Sequence, residues 1–196
     1  MSTGRPPSTT HEQIESVALA LFARNGFEQT TVDDIAAAVG VGRRTLFRYF
    51  PSKNDIVWGD FRSVRERLHA DLEALGEKIG VMDALRRAAV SSNSYPPEQL
   101  PGLRIRMTLI TTVPALQAHS MLRYAEWRSV VAEYVAARRG VAVDSVEAQT
   151  IAHAALGAAM AAFSRWVAHP AEDLDRLLDR GFELLADGFA GAGETP

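Results

Sequence analysis

Apolar residues recur at helical spacing along most of the chain, and no stretch alternates apolar and polar positions as a strand does. Near the N-terminus, a group of apolar residues follows the i, i+3, i+4, i+7, i+8 pattern of an amphipathic helix: Ile14, Val17, Ala18, Leu21 and Phe22. A Thr10…Gln13 capping box precedes this run, and Gly26 ends it. The pattern predicts an all-α protein of about nine helices.

Three further helices are predicted directly after the first. Thr31 is suited to N-cap a helix of about two turns that ends at Gly40. A second short helix is predicted from Arg43 to Phe50, where Pro51 stops it. The amphipathic stretch from Ser52 to about Lys78 predicts one long fourth helix.

The rest of the chain keeps the same periodicity. It predicts five more helices, each bounded by Gly or Pro, at about 83–90, 103–113, 115–139, 145–169 and 172–189. The Ser- and Pro-rich segment 91–102 is predicted to be a loop. The ends, residues 1–7 and 191–196, are expected to be flexible.

The composition excludes several classes of site and predicts where the protein acts. The chain has no cysteine, which excludes disulfides and thiolate metal sites, and we expect neither a metal nor a cofactor. The N-terminus lacks the apolar segment of a secretory signal, and the longest uncharged stretch, 148–164, is shorter than the ~20 residues of a membrane span. These features predict a cytoplasmic protein without a membrane partner.

Positive charge is concentrated towards the N-terminus although the whole chain has a net charge of −3. Residues 1–53 contain six Arg or Lys against five Asp or Glu, whereas residues 54–196 contain fifteen against nineteen. Four basic residues lie within eleven positions that contain no acid: Arg43, Arg44, Arg48 and Lys53. Such a local cluster is suited to a phosphate backbone.

The two short helices fit a helix-turn-helix, in which the second helix enters the ~12 Å wide major groove. Ala36 is small enough for a close helix crossing, and Gly40 suits the turn. Apolar residues occupy the inward positions, namely Ile35, Val39, Val41 and Leu46. The alternative is an ordinary pair of packed helices that does not read DNA.

The segment resembles the DNA-binding domain of TetR-family transcriptional regulators. The resemblance covers about the first 60 residues and rests on Phe22, Gly26-Phe27, Thr30-Thr31-Val32, Ile35-Ala36, Gly40-Val41, Thr45-Leu46-Phe47-Arg48-Tyr49-Phe50 and Ser52-Lys53. The continuation from Phe50 to Phe61 is similar to the mycofactocin-system regulators within this family. That similarity implies control of genes for a peptide-derived redox cofactor.

The resemblance implies a set of DNA contacts. Phosphate contacts are implied for Thr31, Thr45, Tyr49 and Lys53. Contacts with base edges are implied for Arg43, Arg44 and Phe47, with the basic Arg48 also facing outward. Two positions depart from the family pattern, since Gly42 replaces a serine-like cap and Arg44 stands where many members have a small residue.

Arg5, in the N-terminal arm, has two interpretations. It could reach an adjacent minor groove, or it could simply be solvated.

The sequence divides into a DNA-binding domain at 8–68 and an effector-binding and dimerisation domain at 69–190. In the second domain, large adaptable side chains are candidates for an effector pocket, although they could equally be core: Met107, Tyr124, Trp127, Met160, Phe163 and Trp166. Arg104 and Arg106 could meet the anionic head of a fatty acyl thioester, or could be solvated.

Small residues are frequent in the helix predicted at 145–169. Together with the helix at 172–189, it is expected to form a four-helix bundle across a two-fold axis, so that residues 145–189 make a homodimer. The spacing of the two recognition helices would then match half-sites one turn apart on a palindromic operator.

The sequence therefore predicts a ligand-responsive repressor that a small apolar or amphipathic effector, such as a fatty acyl-CoA, releases from DNA. Activation instead of repression, and a helical interaction protein without DNA binding, are the alternatives. An enzyme is not expected, because the five histidines have no ligand spacing and no serine lies in a nucleophile elbow.

Overall fold

A computed structural model describes residues 10–188, and these residues form ten α-helices and no strand. The helices are α1 (His11–Asn25), α2 (Val32–Val39), α3 (Arg43–Tyr49), α4 (Lys53–Trp58), α5 (Phe61–Ala74), α6 (Val81–Ser92), α7 (Leu100–Thr112), α8 (Pro114–Arg139), α9 (Val146–Ala168) and α10 (Leu174–Ala186). The all-α prediction is confirmed. Arg5 and the predicted flexible ends lie outside the described residues.

Packing divides the chain into two compact units. Unit 1 comprises the described part of Met1–Asp60 together with Gln99–Ala118, and unit 2 comprises Phe61–Glu98 together with the described part of His119–Pro196. Helix α7 thus belongs to unit 1, where it packs against α1 and α4. The functional domains predicted at 8–68 and 69–190 assign α7 and part of α5 differently, and they stay a prediction.

Unit 1 is built around one apolar face of α1. Ile14, Ala18 and Phe22 are buried on this face, and α1 contacts α2, α4 and α7. The predicted capping box is present, because Gln13 N–H donates to Thr10 Oγ1 while the Gln13 side chain accepts from Thr10 N–H. These bonds satisfy amide groups that have no partner within the helix.

The turn between α2 and α3 has the geometry that the sequence predicts. Gly40 adopts φ +71, and its N–H donates to the last turn of α2. Ala36, four residues earlier, is buried. A residue with a Cβ would be strained in this left-handed conformation, so the turn depends on glycine.

The prediction of one long fourth helix is wrong. The helical backbone stops at Trp58, passes through Gly59 at φ +58 and ψ −144, and resumes as α5 at Phe61. This conformation is accessible essentially to glycine alone. The break explains why there are ten helices instead of about nine.

The predicted loop at 91–102 is shorter than expected. Helix α6 extends to Ser92, and α7 begins at Leu100 with Pro101 in its first turn. A proline is compatible with the first turn because the amide hydrogen that it lacks would have no helical partner there. Proline therefore starts α7 and does not delay it.

Unit 2 is held together by α10, which packs against both α9 and α6. Helices α9 and α10 approach closely where a Cβ added at Gly181 would lie 3.3 Å from the Ala158 carbonyl oxygen. Arg86 of α6 forms ion pairs with Asp179 at 2.8 Å and with Glu183 at 3.6 Å on α10. Close packing against α9 and ion pairs with α6 thus both act on α10.

We expect the substitution Gly59→Ala to destabilise the protein by about 2 kcal/mol, because alanine is strained at this backbone conformation. A Cβ at Gly59 would also overlap the Glu15 carboxylate, which an ion pair with Arg106 holds in place at 2.6 Å. Urea unfolding measures the change. Gly76→Ala is the control, since Gly76 has open space around it, and equal stability of the two variants would contradict the explanation.

Candidate nucleic-acid interface

Helix α3 has one buried face and one exposed face. The side chains of Leu46 and Phe50 are buried, at 0% and 5% exposure. The opposite face carries Arg43, Arg44 and Arg48, all exposed, together with Phe47 at 39% exposure. An aromatic ring among exposed guanidinium groups can contact bases and phosphates together.

The N-terminus of α2 is closed by a capping box. The Thr31 side chain accepts from Asp34 N–H, and Asp34 Oδ2 accepts from the Thr31 hydroxyl at 2.7 Å and from the Thr31 amide at 2.8 Å. These bonds from the Thr31 side chain and backbone hold the pKa of Asp34 below its ordinary value. Thr31 is exposed, and the phosphate contact predicted for it stays a prediction.

Arg43 is held from two sides. Its NH1 atom lies 2.9 Å from Asp33 Oδ2 in the first turn of α2, and its guanidinium carbon lies 5.5 Å from the centre of the Phe47 ring. The ion pair therefore joins the two helices of the motif across the Gly40 turn. No spacing rule connects residues ten positions apart, so the sequence did not predict this contact.

The end of α3 contacts the start of α1. The His11 ring lies 4.9 Å from the rings of both Tyr49 and Phe50. Tyr49 is half-buried, as is Thr45 one turn earlier. Their packing limits the directions that these two side chains can take, which suits residues that position the protein on a backbone.

Lys53 stabilises the loop before α2. Its ammonium group donates to the carbonyl oxygens of Phe27 and Thr30, at 2.9 and 3.2 Å, and lies 4.2 Å from the centre of the Phe27 ring. Because an ammonium group has three hydrogens, one donor remains for a further acceptor. The predicted phosphate contact would use that donor, and it stays a prediction.

The candidate effector residues are divided between the two units. Arg104, Arg106 and Met107 lie in unit 1 on α7. Arg106 forms an ion pair with Glu15 of α1 at 2.6 Å, so Glu15 already balances the charge that an anionic ligand would use. Met107, on the same helix, is buried.

The other five candidates lie in unit 2. Trp127, Phe163 and Trp166 are buried, and Met160 and Tyr124 are half-buried. Burial raises the pKa of the Tyr124 hydroxyl, while a hydrogen bond with Ser120 opposes this effect. The placement fits an apolar interior, which could be a pocket wall or a packed core.

Two family models match this chain. The model described as bacterial regulatory proteins of the tetR family matches residues 14–57, which run from α1 into α4. The model described as the MftR C-terminal domain matches residues 79–190, more than half of the chain.

A curated relative matches nearly the whole chain. A candidate mycofactocin biosynthesis transcriptional regulator, MftR of Mycobacterium tuberculosis, is 41% identical over 186 residues, which cover 95% of this chain and 94% of the relative. The similarity therefore extends through both units.

Solved structures share the fold. FadR of Thermus thermophilus, a repressor in complex with lauroyl-CoA, has a TM-score of 0.59 and 23% identity, covering 95% of this chain and 98% of that one. SmeT, the repressor of the Stenotrophomonas maltophilia efflux pump SmeDEF, has a TM-score of 0.61 and 19% identity, covering 96% of each chain.

Proposed function

The chain belongs to the TetR family of bacterial regulatory proteins and carries the MftR C-terminal domain, and we propose that it is a ligand-responsive repressor that binds a palindromic operator as a homodimer. It acts in the cytoplasm, on genes for a peptide-derived redox cofactor. Its family membership identifies it as a DNA-binding transcriptional regulator, and the operator, the homodimer and the effector belong to the proposal.

The observation that carries the proposal is that α3 has a buried apolar face and an exposed basic face. Burial of Leu46 and Phe50 directs three arginines and a partly exposed aromatic ring outward on one short helix. In a helix-turn-helix this face enters the major groove. A helical protein that only bound another protein would not need an exposed basic cluster of this kind.

We assign separate roles to the residues of this face. Arg43, Arg44 and Phe47 read base edges, because an arginine can donate two bonds to guanine and a ring can contact a thymine methyl. The phosphate backbone is held by Thr31, Thr45, Arg48, Tyr49 and Lys53. The half-buried Thr45 and Tyr49 support this division, since partly packed side chains position a protein reproducibly.

We expect the double variant Arg43→Ala, Tyr49→Ala to bind the operator more than about 100-fold more weakly, because one base contact and one phosphate contact are lost in each half-site. Gel shift with the intergenic DNA beside its own gene measures the loss. The control is Arg67→Ala, Tyr95→Ala, which removes the same residue types from unit 2. A folded double variant with unchanged operator affinity would refute the assignment.

Helix α9 supports the proposed homodimer. By length and composition α9 would pass as a membrane span, with a mean hydropathy of 1.2 over 18 residues of which 33% are buried. Seven of its exposed positions recur at steps of three and four and are uncharged: Val146, Thr150, His153, Gly157, Ala161, Ser164 and Ala168. The remaining exposed position of α9 is Arg165 near its C-terminal end, which forms an ion pair with Glu172. A helix face that is incompletely covered and carries one charged residue near its end is suited to the same face of a second copy.

We expect the substitution Gly157→Glu to convert the dimer into a monomer, because it places a charge in the centre of this face. The fold of each protomer should survive, since a Cβ at Gly157 meets nothing within 4 Å. Sedimentation velocity at micromolar concentration measures the oligomeric state, with Gly76→Glu as the equally open control. A monomeric wild-type chain would overturn the dimer.

The effector that we propose is a small apolar or amphipathic molecule, with fatty acyl-CoA as the leading class. Buried Trp127, Phe163 and Trp166 supply the apolar surroundings that an acyl chain requires. FadR, which shares the fold, binds lauroyl-CoA. Binding would favour a dimer whose recognition helices do not match the operator, and linkage would then lower DNA affinity.

We expect saturating lauroyl-CoA to raise the melting temperature by about 5 °C or more, since a ligand that binds the folded state stabilises it. The same ligand should release the operator in a gel shift. Free CoA and laurate, tested separately, show whether the head or the tail carries the affinity. If acyl-CoAs of several chain lengths produce no shift, this effector class is wrong.

A further inference from the structure

A carboxylate lies on the face that should meet DNA. Asp33, in the first turn of α2, pairs with Arg43 at the start of α3. Phosphates repel a carboxylate, so an acid at this position lowers the affinity for any DNA. Its presence needs a reason other than binding strength.

Folding stability supplies only a small part of that reason, through the favourable position of an acid in the first turn of α2. The side chains of Arg43 and Asp33 are 60% and 65% exposed. Ion pairs with this exposure contribute little to stability, because water screens the charges and both side chains lose freedom. The Gly40 turn and the burial of Leu46 already fix α3 against α2.

The ion pair instead restricts one side chain. Asp33 holds the NH1 end of the Arg43 guanidinium, and the guanidinium carbon lies over the Phe47 ring, 5.5 Å from its centre. Within residues 10–188, neither Arg44 nor Arg48 forms an ion pair. Arg43 is therefore the one arginine of this helix that enters the DNA complex already oriented by a carboxylate.

We propose that Asp33 is a specificity-determining residue that orients Arg43, an inference that rests on the proposed DNA reading. A guanidinium carries five N–H donors, and fixing one edge leaves the rest pointing in a defined direction, as a guanine O6/N7 pair requires. A guanidinium held in this way turns less readily to a phosphate or to another base. Asp33 also penalises non-specific complexes, and specificity is the difference between the two affinities.

The test is selection of bound duplexes from a library with randomised half-sites, followed by affinity measurements on single-base variants. For Asp33→Ala, discrimination should fall about fivefold or more at one base pair of each half-site. Affinity for random DNA should rise in the same variant. Arg43→Ala should lose its preference at that same base pair.

The matched control is Glu28→Ala, which removes a carboxylate from an exposed position of the same unit. It should leave the base preference unchanged, and thermal unfolding should show that both variants are folded. In the Arg43→Ala background, Asp33→Ala should have no further effect on base preference. This coupling would not arise if Asp33 acted only through net charge or folding.

The outcomes separate this inference from the proposed function. If the wild-type chain selects no sequence at all, the proposed function fails. If the wild type selects a palindrome and Asp33→Ala keeps the same discrimination at every position, the role of Asp33 is refuted. A change at a base pair that Arg43→Ala does not affect, or the same change in Glu28→Ala, also refutes it.

Discussion

The burial of Leu46 and Phe50 is the interaction on which the candidate interface depends. Helix α3 has seven residues, and a helix of this length is not stable alone in water because nucleation costs more than so few hydrogen bonds return. Tertiary packing must therefore supply its stability. The same packing fixes the rotation of the helix, so that the exposed arginines and Phe47 share one face.

Features that are local in the chain could be predicted from the sequence. The capping boxes at Thr10 and Thr31, the left-handed turn at Gly40 and the inward positions of Ile35 and Leu46 all follow from residue type and spacing. Each is decided within about five residues. The helix-turn-helix consists almost entirely of such features, which is why its resemblance to the family is visible without a structure.

Features that depend on distant residues could not be predicted. A glycine inside an amphipathic pattern costs a helix only about 1 kcal/mol, so periodicity alone cannot tell that Gly59 breaks the fourth helix. At the break, a Cβ on residue 59 would overlap the carboxylate of Glu15, which lies 44 positions away and is itself held by Arg106. The partners of Arg43 and Arg106 are likewise set by the fold, and they change what each arginine can do.

These long-range contacts reduce the charge that the basic cluster has available for phosphates. In the sequence the cluster consists of four equivalent positive charges, those of Arg43, Arg44, Arg48 and Lys53. In the structure, Arg43 forms an ion pair with Asp33, and Lys53 already donates to two carbonyl groups. Non-specific attraction to phosphate is thus weaker than the count implies. In the homodimer that we propose, every such restriction would occur twice on one operator, so its contribution to selectivity would double in free energy and its factor in the affinity ratio would be squared. Partial neutralisation of the basic cluster, repeated in each protomer of the proposed homodimer, would therefore favour selectivity over affinity.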